Sequence, residues 1–222
     1  HQQVDAIVLV PIDSKALVQP AVEAVRKGIP VINIDIQLDA QLLEQAGVEV
    51  AFVGPDNFAA AYEVGKLLGK KLRNEDKVAI IEGLAAADNA QQRKRGFIKA
   101  IEEKGLRLVA SEPADWETEK AAEVFQAMWM RYPDLKAVYC SNDAMALGVL
   151  QQMQEKKCYL PVVGFDNDAV MKEFLSTGKL VATADIFSSQ MAVRGIEFAL
   201  DVLEGRIENR GVHSTAYEII KQ

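Results

Sequence analysis

The sequence predicts a doubly wound α/β fold, and three observations predict it. Seven tracts, at 7–11, 31–35, 51–56, 78–82, 137–143, 162–168 and 180–185, end a β-type apolar run in a short polar turn. Amphipathic helical stretches lie between them, and regular β/α alternation places helices on the faces of parallel sheets. The run at 4–10 is almost continuously apolar, as a strand buried on both faces requires.

The elements follow in order. After the first strand, Pro11-Ile12-Asp13-Ser14 turns the chain, and Asp13 or Ser14 can cap a helix over 15–27. Its apolar stripe is Leu17, Val18, Val22 and Val25, and Gly28 closes it. Ile29-Pro30 leads to the strand at 31–35, completing a right-handed βαβ unit. Asp56 or Asn57 caps a helix to about residue 73, followed by a strand over 77–82 and an Ala- and Asp-rich loop. A helix over 89–104 ends at Gly105, and a strand over 107–111 leads through a loop containing Trp116. A helix over 117–131 stops before Pro133, a strand over 137–140 follows, and Asn142 opens a helix to 155. Then come a strand over 161–165, a short helix over 169–176, a strand over 180–184 and a long helix over 188–203 stopped by Gly205. A last β-like stretch covers 213–220.

Composition narrows the function. The 222 residues are 50% apolar, enough for one large domain or two small ones. The net charge is −7, and the one basic cluster, Arg93-Lys94-Arg95, is diluted by surrounding Asp and Glu. Nucleic acid binding needs a concentrated cationic face, so we expect no nucleic acid partner. No run approaches the roughly 20 apolar residues that span a bilayer, so no membrane insertion is expected. His1-Gln2-Gln3-Val4-Asp5 is not a signal peptide and reads as a processed or cut end. Cys140 and Cys158 fall at opposite ends of one predicted helix, roughly 15 Å or more apart at 1.5 Å per residue, too far for a disulfide. His1 and His213 share no motif with them, so neither a metal site nor any cofactor is expected.

Asp35, Asn142 and Asp166 each lie just past the carboxyl end of a strand, the edge where open α/β sheets bind ligands. Taken alone, each has a plainer reading. Asp35 suits a turn, Asn142 an N-cap, and Asp166 a cap for the short helix at 169. Arg93 on its helix would ordinarily be solvated, and a loop Trp such as Trp116 divides evenly between packing and a ligand platform. Met128, Trp129 and Met130 are consecutive on a helix and point different ways, so packing accounts for them.

Four tracts together resemble the periplasmic sugar-binding proteins of the ribose-binding type: residues 28–35 (GIPVINID), 92–97 (QRKRGF), 141–148 (SNDAMALG) and 162–166 (VVGFD). Residues 53–57 (VGPDN) and 113–116 (PADW) add to the match, in order along essentially the whole chain. The resemblance implies two doubly wound parallel-sheet lobes joined by a three-crossing hinge, with the first lobe incomplete. The lobes are expected at 1–55 plus 187–209 and at 56–186 plus 210–222. It implies closure on a small sugar or polyol by hinge bending, presentation to an ABC permease or chemoreceptor, and a periplasmic location. Asp35 and Asp166 would accept from hydroxyls and Arg93 would donate through its fork. Asn142 would do both, with Asp143 taking over the helix cap, and Trp116 would cover a sugar face. The family's Arg after the first Asp is Ile36 here, and its hinge Gln is Ile186, which implies a ligand with fewer or different polar groups than a pentose. Family members carry a further βαβ portion before the equivalent of Val4, so the resemblance implies an exposed edge in the first lobe, expected either to be covered by a second copy or to leave residues 1–55 partly disordered.

Two other readings remain open. The same fold serves as the effector domain of LacI-type regulators and of extracytoplasmic receptors. A glycosidase using Asp35 and Asp166 would need two carboxylates at a defined spacing, but nothing marks either as a raised-pKa acid. The expectation is a binding protein, not an enzyme.

Overall fold

Apolar runs form the buried strands of two separate sheets. The computed structural model describes residues 4–221. His1, Gln2 and Gln3, on which the reading of a cut end and one rejected metal ligand rest, lie outside the described residues, as does Gln222. The chain divides into two units, 1–56 with 86–89 and 187–216, and 57–85 with 90–186 and 217–222.

In the first unit, β1 (Ile7–Leu9), β2 (Val31–Ile34), β3 (Ala51–Pro55) and β9 (Val212–Thr215) lie parallel in that order. All four residues of β2 are buried, as its apolar sequence demands. The predicted helix at 15–27 starts later, as α1 (Val18–Arg26). Asp13 Oδ1 instead accepts the Lys15 and Ala16 amides, at 2.6 and 2.9 Å, in a turn before the helix. Pro20 then falls in the first helical turn, where its missing N–H costs nothing. A helix unread in the sequence, α2 (Ala40–Gln45), is capped by Asp39, which accepts the Leu42 amide at 3.0 Å.

The long helix α8 (Ser188–Leu203) buries Met191, Gly195 and Ala199. Gly195 meets Ile34 and Val8 so closely that a β-carbon would clash. Val193, Ile196, Leu200 and Leu203 lie exposed on α8, with Ile207 exposed just beyond, so the helix carries apolar residues on a second, solvated face.

In the second unit, β4 (Lys77–Glu82), β5 (Arg107–Pro113), β6 (Ala137–Cys140), β7 (Val162–Val163), β8 (Leu180–Asp185) and β10 (Glu218–Lys221) form one sheet. Its order is β10-β8-β7-β6-β4-β5, and only β10 runs antiparallel. Helices α3 (Asn57–Gly69), α4 (Asp88–Lys104), α5 (Thr118–Arg131), α6 (Asp143–Glu155) and α7 (Lys172–Ser176) alternate with these strands. The first two residues of α4 group with the first unit. The core includes Ile81, Phe125, Val138, Met145, Val149 and Met153. Trp129 packs edge-on to Phe125 at 5.5 Å, as a helix packing residue should.

One expectation about the strands is corrected. The stretch at 213–220 is not one strand, and residues 210–216 do not join the second lobe. β9 pairs with β3 in one sheet and β10 with β8 in the other. The cysteines are free, Cys140 buried at the end of β6 with its thiol pushed well up by burial. No described helix is long and apolar enough to cross a membrane.

Candidate functional site

Arg93, the sixth residue of α4, is 3% exposed. A buried guanidinium must satisfy its donors within the protein or with a ligand. Its Nε donates to Asn57 Oδ1 at 2.9 Å and its Nη1 to the Ser141 carbonyl at 2.8 Å. The same Nη1 lies 3.4 Å from Asp166 Oδ1. The guanidinium carbon stands 3.7 Å from the centre of the Phe165 ring and 5.5 Å from the Trp116 ring. One cation is thus set among a carboxylate, an amide, a carbonyl and two aromatic rings, with Nη2 committed to none of these bonds. The adjacent basic residues are accounted for: Lys94 pairs with Glu82 at 2.7 Å, and Arg95 is exposed.

Each partner is placed by local structure. Asn57 opens α3 at 1% exposure. Ser141 ends the β6 run, and its hydroxyl is buried without a hydrogen-bond partner among the described residues. Asp166 follows β7 with φ 105°, and Asn167 follows with φ 58°. Both are left-handed conformations that L-residues rarely adopt and that Asp and Asn tolerate best. The Asp166 amide donates to the Ala184 carbonyl at 2.7 Å, and Asn167 Nδ2 to Asp185 Oδ2 at 2.9 Å. Trp116 (φ 72°) and Asp115 (φ 52°) form a second left-handed pair. The indole lies directly over Gly83, where any β-carbon would overlap it.

Asn142 departs from expectation. Its Oδ1 accepts the Met145 amide at 2.9 Å, so Asn142 is the N-cap of α6, and Asp143 does not replace it. Asp143 is wholly buried inside the unit instead, and burial pushes its carboxyl up to about 7. The cap consumes the Asn142 carbonyl oxygen and leaves its NH₂ group for other partners.

Asp35 belongs to the first unit, with φ 65° directly after β2. Asn33, 1% exposed, builds the turn around it. Its Nδ2 donates to the Ile36 carbonyl at 2.9 Å, and its Oδ1 accepts the Leu38 amide at 2.7 Å. Ile36 is buried there, and Ile186 is buried just past the end of β8, so both are packed side chains.

Of the five residues singled out in the sequence, the structure brings Arg93, Asp166 and Trp116 together. It sets Asn142 beside Ser141 in the same unit and places Asp35 in the other unit. It adds Asn57, Ser141 and Phe165. Their only sequence signal is position, since each lies within or beside the tracts that carry the resemblance. Asn89, 5% exposed, also holds a side-chain oxygen without a partner among the described residues.

Known proteins share this architecture and sequence. The periplasmic binding protein domain matches residues 1–207. The D-ribose/D-allose-binding protein of Pseudomonas aeruginosa is 42% identical over 222 residues, covering 98% of this chain and 70% of the relative. The D-allose-binding periplasmic protein of Escherichia coli K12 is 35% identical over 200 residues, covering 88% of this chain but 64% of the relative. An ABC transporter periplasmic solute binding protein from Actinobacillus succinogenes, crystallised with bound D-allose, superposes with a TM-score of 0.92 at 32% identity, covering 99% of this chain and 79% of that one. The parallel sheets, the order of the motifs and these similarities agree: the chain belongs to the periplasmic binding protein family.

Proposed function

We propose that the whole protein is a non-enzymatic solute-binding protein of the periplasm, which captures a small sugar or polyol and passes it to an ABC permease or a chemoreceptor. The observation that carries this reading is the buried Arg93, held beside the Asp166 carboxylate between Phe165 and Trp116. A sugar presents vicinal hydroxyls and an apolar ring face. A guanidinium with uncommitted donors, a neighbouring carboxylate acceptor and aromatic rings complement both. Asn142 offers its NH₂ group, and Asp35 on the first unit is proposed as a further acceptor. The relatives' sugars point to D-allose and D-ribose as first candidates. The buried Ile36 and Ile186 offer no polar group at those points, which favours a ligand with a different set of hydroxyls, D-allose before D-ribose. The exposed apolar residues of α8, continuing toward Ile207, support association with a second copy.

A thermal-shift panel of pentoses, hexoses and polyols tests the reading. A true ligand at 100 times its Kd raises stability by about 2.7 kcal/mol. Asp35→Ala and Asp166→Ala each lower affinity by about 1.5–3 kcal/mol, the value of a hydrogen bond to a charged group. A protein that no sugar or polyol stabilises, or turnover of a glycoside, would count against it.

A further inference from the structure

Asp143 has no place in the site so far, yet its contacts lead into it. It is the first residue of α6 and, with Thr183 of β8, is fully buried. Its amide donates to the Phe165 carbonyl at 2.7 Å. Its carboxylate accepts the Thr183 hydroxyl at 2.9 Å through Oδ1 and the Asp168 amide at 2.9 Å through Oδ2. The Thr183 oxygen in turn accepts the Asn167 amide at 3.2 Å. Two consecutive amides past β7 are therefore held by one pair of side chains, from α6 and β8. The carboxylate fits only because Gly164 has no β-carbon, which would overlap Oδ1.

This clamp encloses the strained backbone of Asp166 and Asn167, whose φ values are 105° and 58°. Backbone pairing with β8 reaches the Asp166 amide, which donates to the Ala184 carbonyl, and the next two amides are held by side chains instead. Strain of this kind persists only where surrounding contacts over-determine it. A buried carboxylate is also a poor choice for folding alone, because an apolar side chain of similar size commonly serves stability as well or better.

We propose that Asp143 and Thr183 are positioning residues that hold the 166–168 turn so that the Asp166 carboxylate faces Arg93. They touch no sugar themselves. The ligand part of this inference rests on the sugar-binding reading above; the clamp itself does not.

The test compares Thr183→Val, which keeps the shape and loses the hydroxyl, with Thr183→Ser, which keeps the hydroxyl, and with Asp143→Asn. It is run on the full chain. Without sugar, hydrogen exchange of the Asn167 and Asp168 amides should speed up by about tenfold or more in Thr183→Val and Asp143→Asn and stay unchanged in Thr183→Ser. With D-allose and D-ribose, Thr183→Val should bind about tenfold more weakly, Thr183→Ser should bind within about twofold of wild type, and the Thr183→Val loss should shrink in an Asp166→Asn background, because coupled residues are not additive. Wild-type exchange in Thr183→Val overturns the clamp. A binding loss that adds fully to that of Asp166→Asn overturns the route through Asp166. If Asp143→Asn does not fold, the Thr183 pair decides. If the wild type binds neither sugar nor any member of the panel, the ligand reading fails while the exchange result still decides the clamp.

Discussion

The guanidinium carbon of Arg93 is 3.7 Å from the centre of the Phe165 ring, while Asp166, the residue after that Phe, stands 3.4 Å from one of its terminal nitrogens. A fork and a plane are both in use, and lysine has neither. Arg93→Lys is therefore expected to destabilise the protein by about 1–3 kcal/mol, because a single ammonium nitrogen cannot stand where both Nε and Nη1 stand against Asn57 and the Ser141 carbonyl. Urea unfolding measures it. A neutral result would mean that these bonds are made elsewhere.

Trp116 should report what happens at this site. Its indole occupies the space over Gly83, so Gly83→Ala must displace it, at an expected cost of about 1–3 kcal/mol for overpacking. Intrinsic fluorescence should change when sugar saturates the protein, and Trp116→Phe should abolish that change. Trp129, packed against Phe125, should stay silent. A full signal in Trp116→Phe would move the reporter elsewhere.

Asp143 gives the protein a pH dependence with a definite sign. Burial raises its folded pKa to about 7, against about 3.8 for an ordinary Asp. Between these values the folded state binds the extra proton, so this contribution to stability is greatest at low pH and is lost as pH rises through 7. Relative to Asp143→Asn, the wild type should gain about 1 kcal/mol per unit as pH falls from 7 to 5. Unfolding curves of both proteins at several pH values give the difference directly. A difference that does not vary with pH would show the carboxyl to be ordinary.

Asn33 holds the turn that presents Asp35. Asn33→Ala leaves the buried Ile36 carbonyl and Leu38 amide without their partner, for an expected loss of about 2–3 kcal/mol. Sugar affinity should fall with it, since Asp35 loses the support of its left-handed conformation. Calorimetric unfolding and titration on the same sample separate the two effects, and a change in neither would remove Asn33 from the argument.

The exposed residues of α8 make a prediction about solution behaviour. Sedimentation at rising concentration should show association, and Ile196→Ser with Leu200→Ser should reduce it at little cost to stability, because both side chains are already exposed. A wild-type monomer at every concentration would contradict it.

Much of this was legible in the residues. The helix at 188–203 has the bounds read from its apolar period and its terminal Gly205, because both signals are local. Arg93 shares a helix face with Phe97, Ala100 and Ile101, all buried, and that spacing separates it from the exposed Arg95. The rest depended on tertiary facts. α2 is six residues long, too short for a periodic signal, and only Asp39 marked it. Nothing between Thr215 and Glu218 marks a break, since which sheet a strand joins is decided by its partners, here β3 and β8. The role of Asp143 was hidden for a related reason. An Asp beside a capping Asn reads as an alternative cap until its buried partners, Thr183 and the Asp168 amide, are seen.

The pairing of β3 with β9 also sets an order of events during synthesis. Phe52 donates to the Gly211 carbonyl at 2.9 Å, while Asn209 accepts the Ala51 amide at 3.2 Å and donates to the Val31 carbonyl at 3.1 Å. These bonds join positions more than 150 residues apart, so loop closure there is slow compared with the local β-α-β steps of the second unit. A ribosome has made every strand of the second sheet except β10 before it reaches Asn209. β1, β2 and β3, although translated before the second sheet, must wait with the far edge of β3 open until Asn209 and β9 have emerged. A holding factor that acts on the nascent chain would find its longest-lived target there.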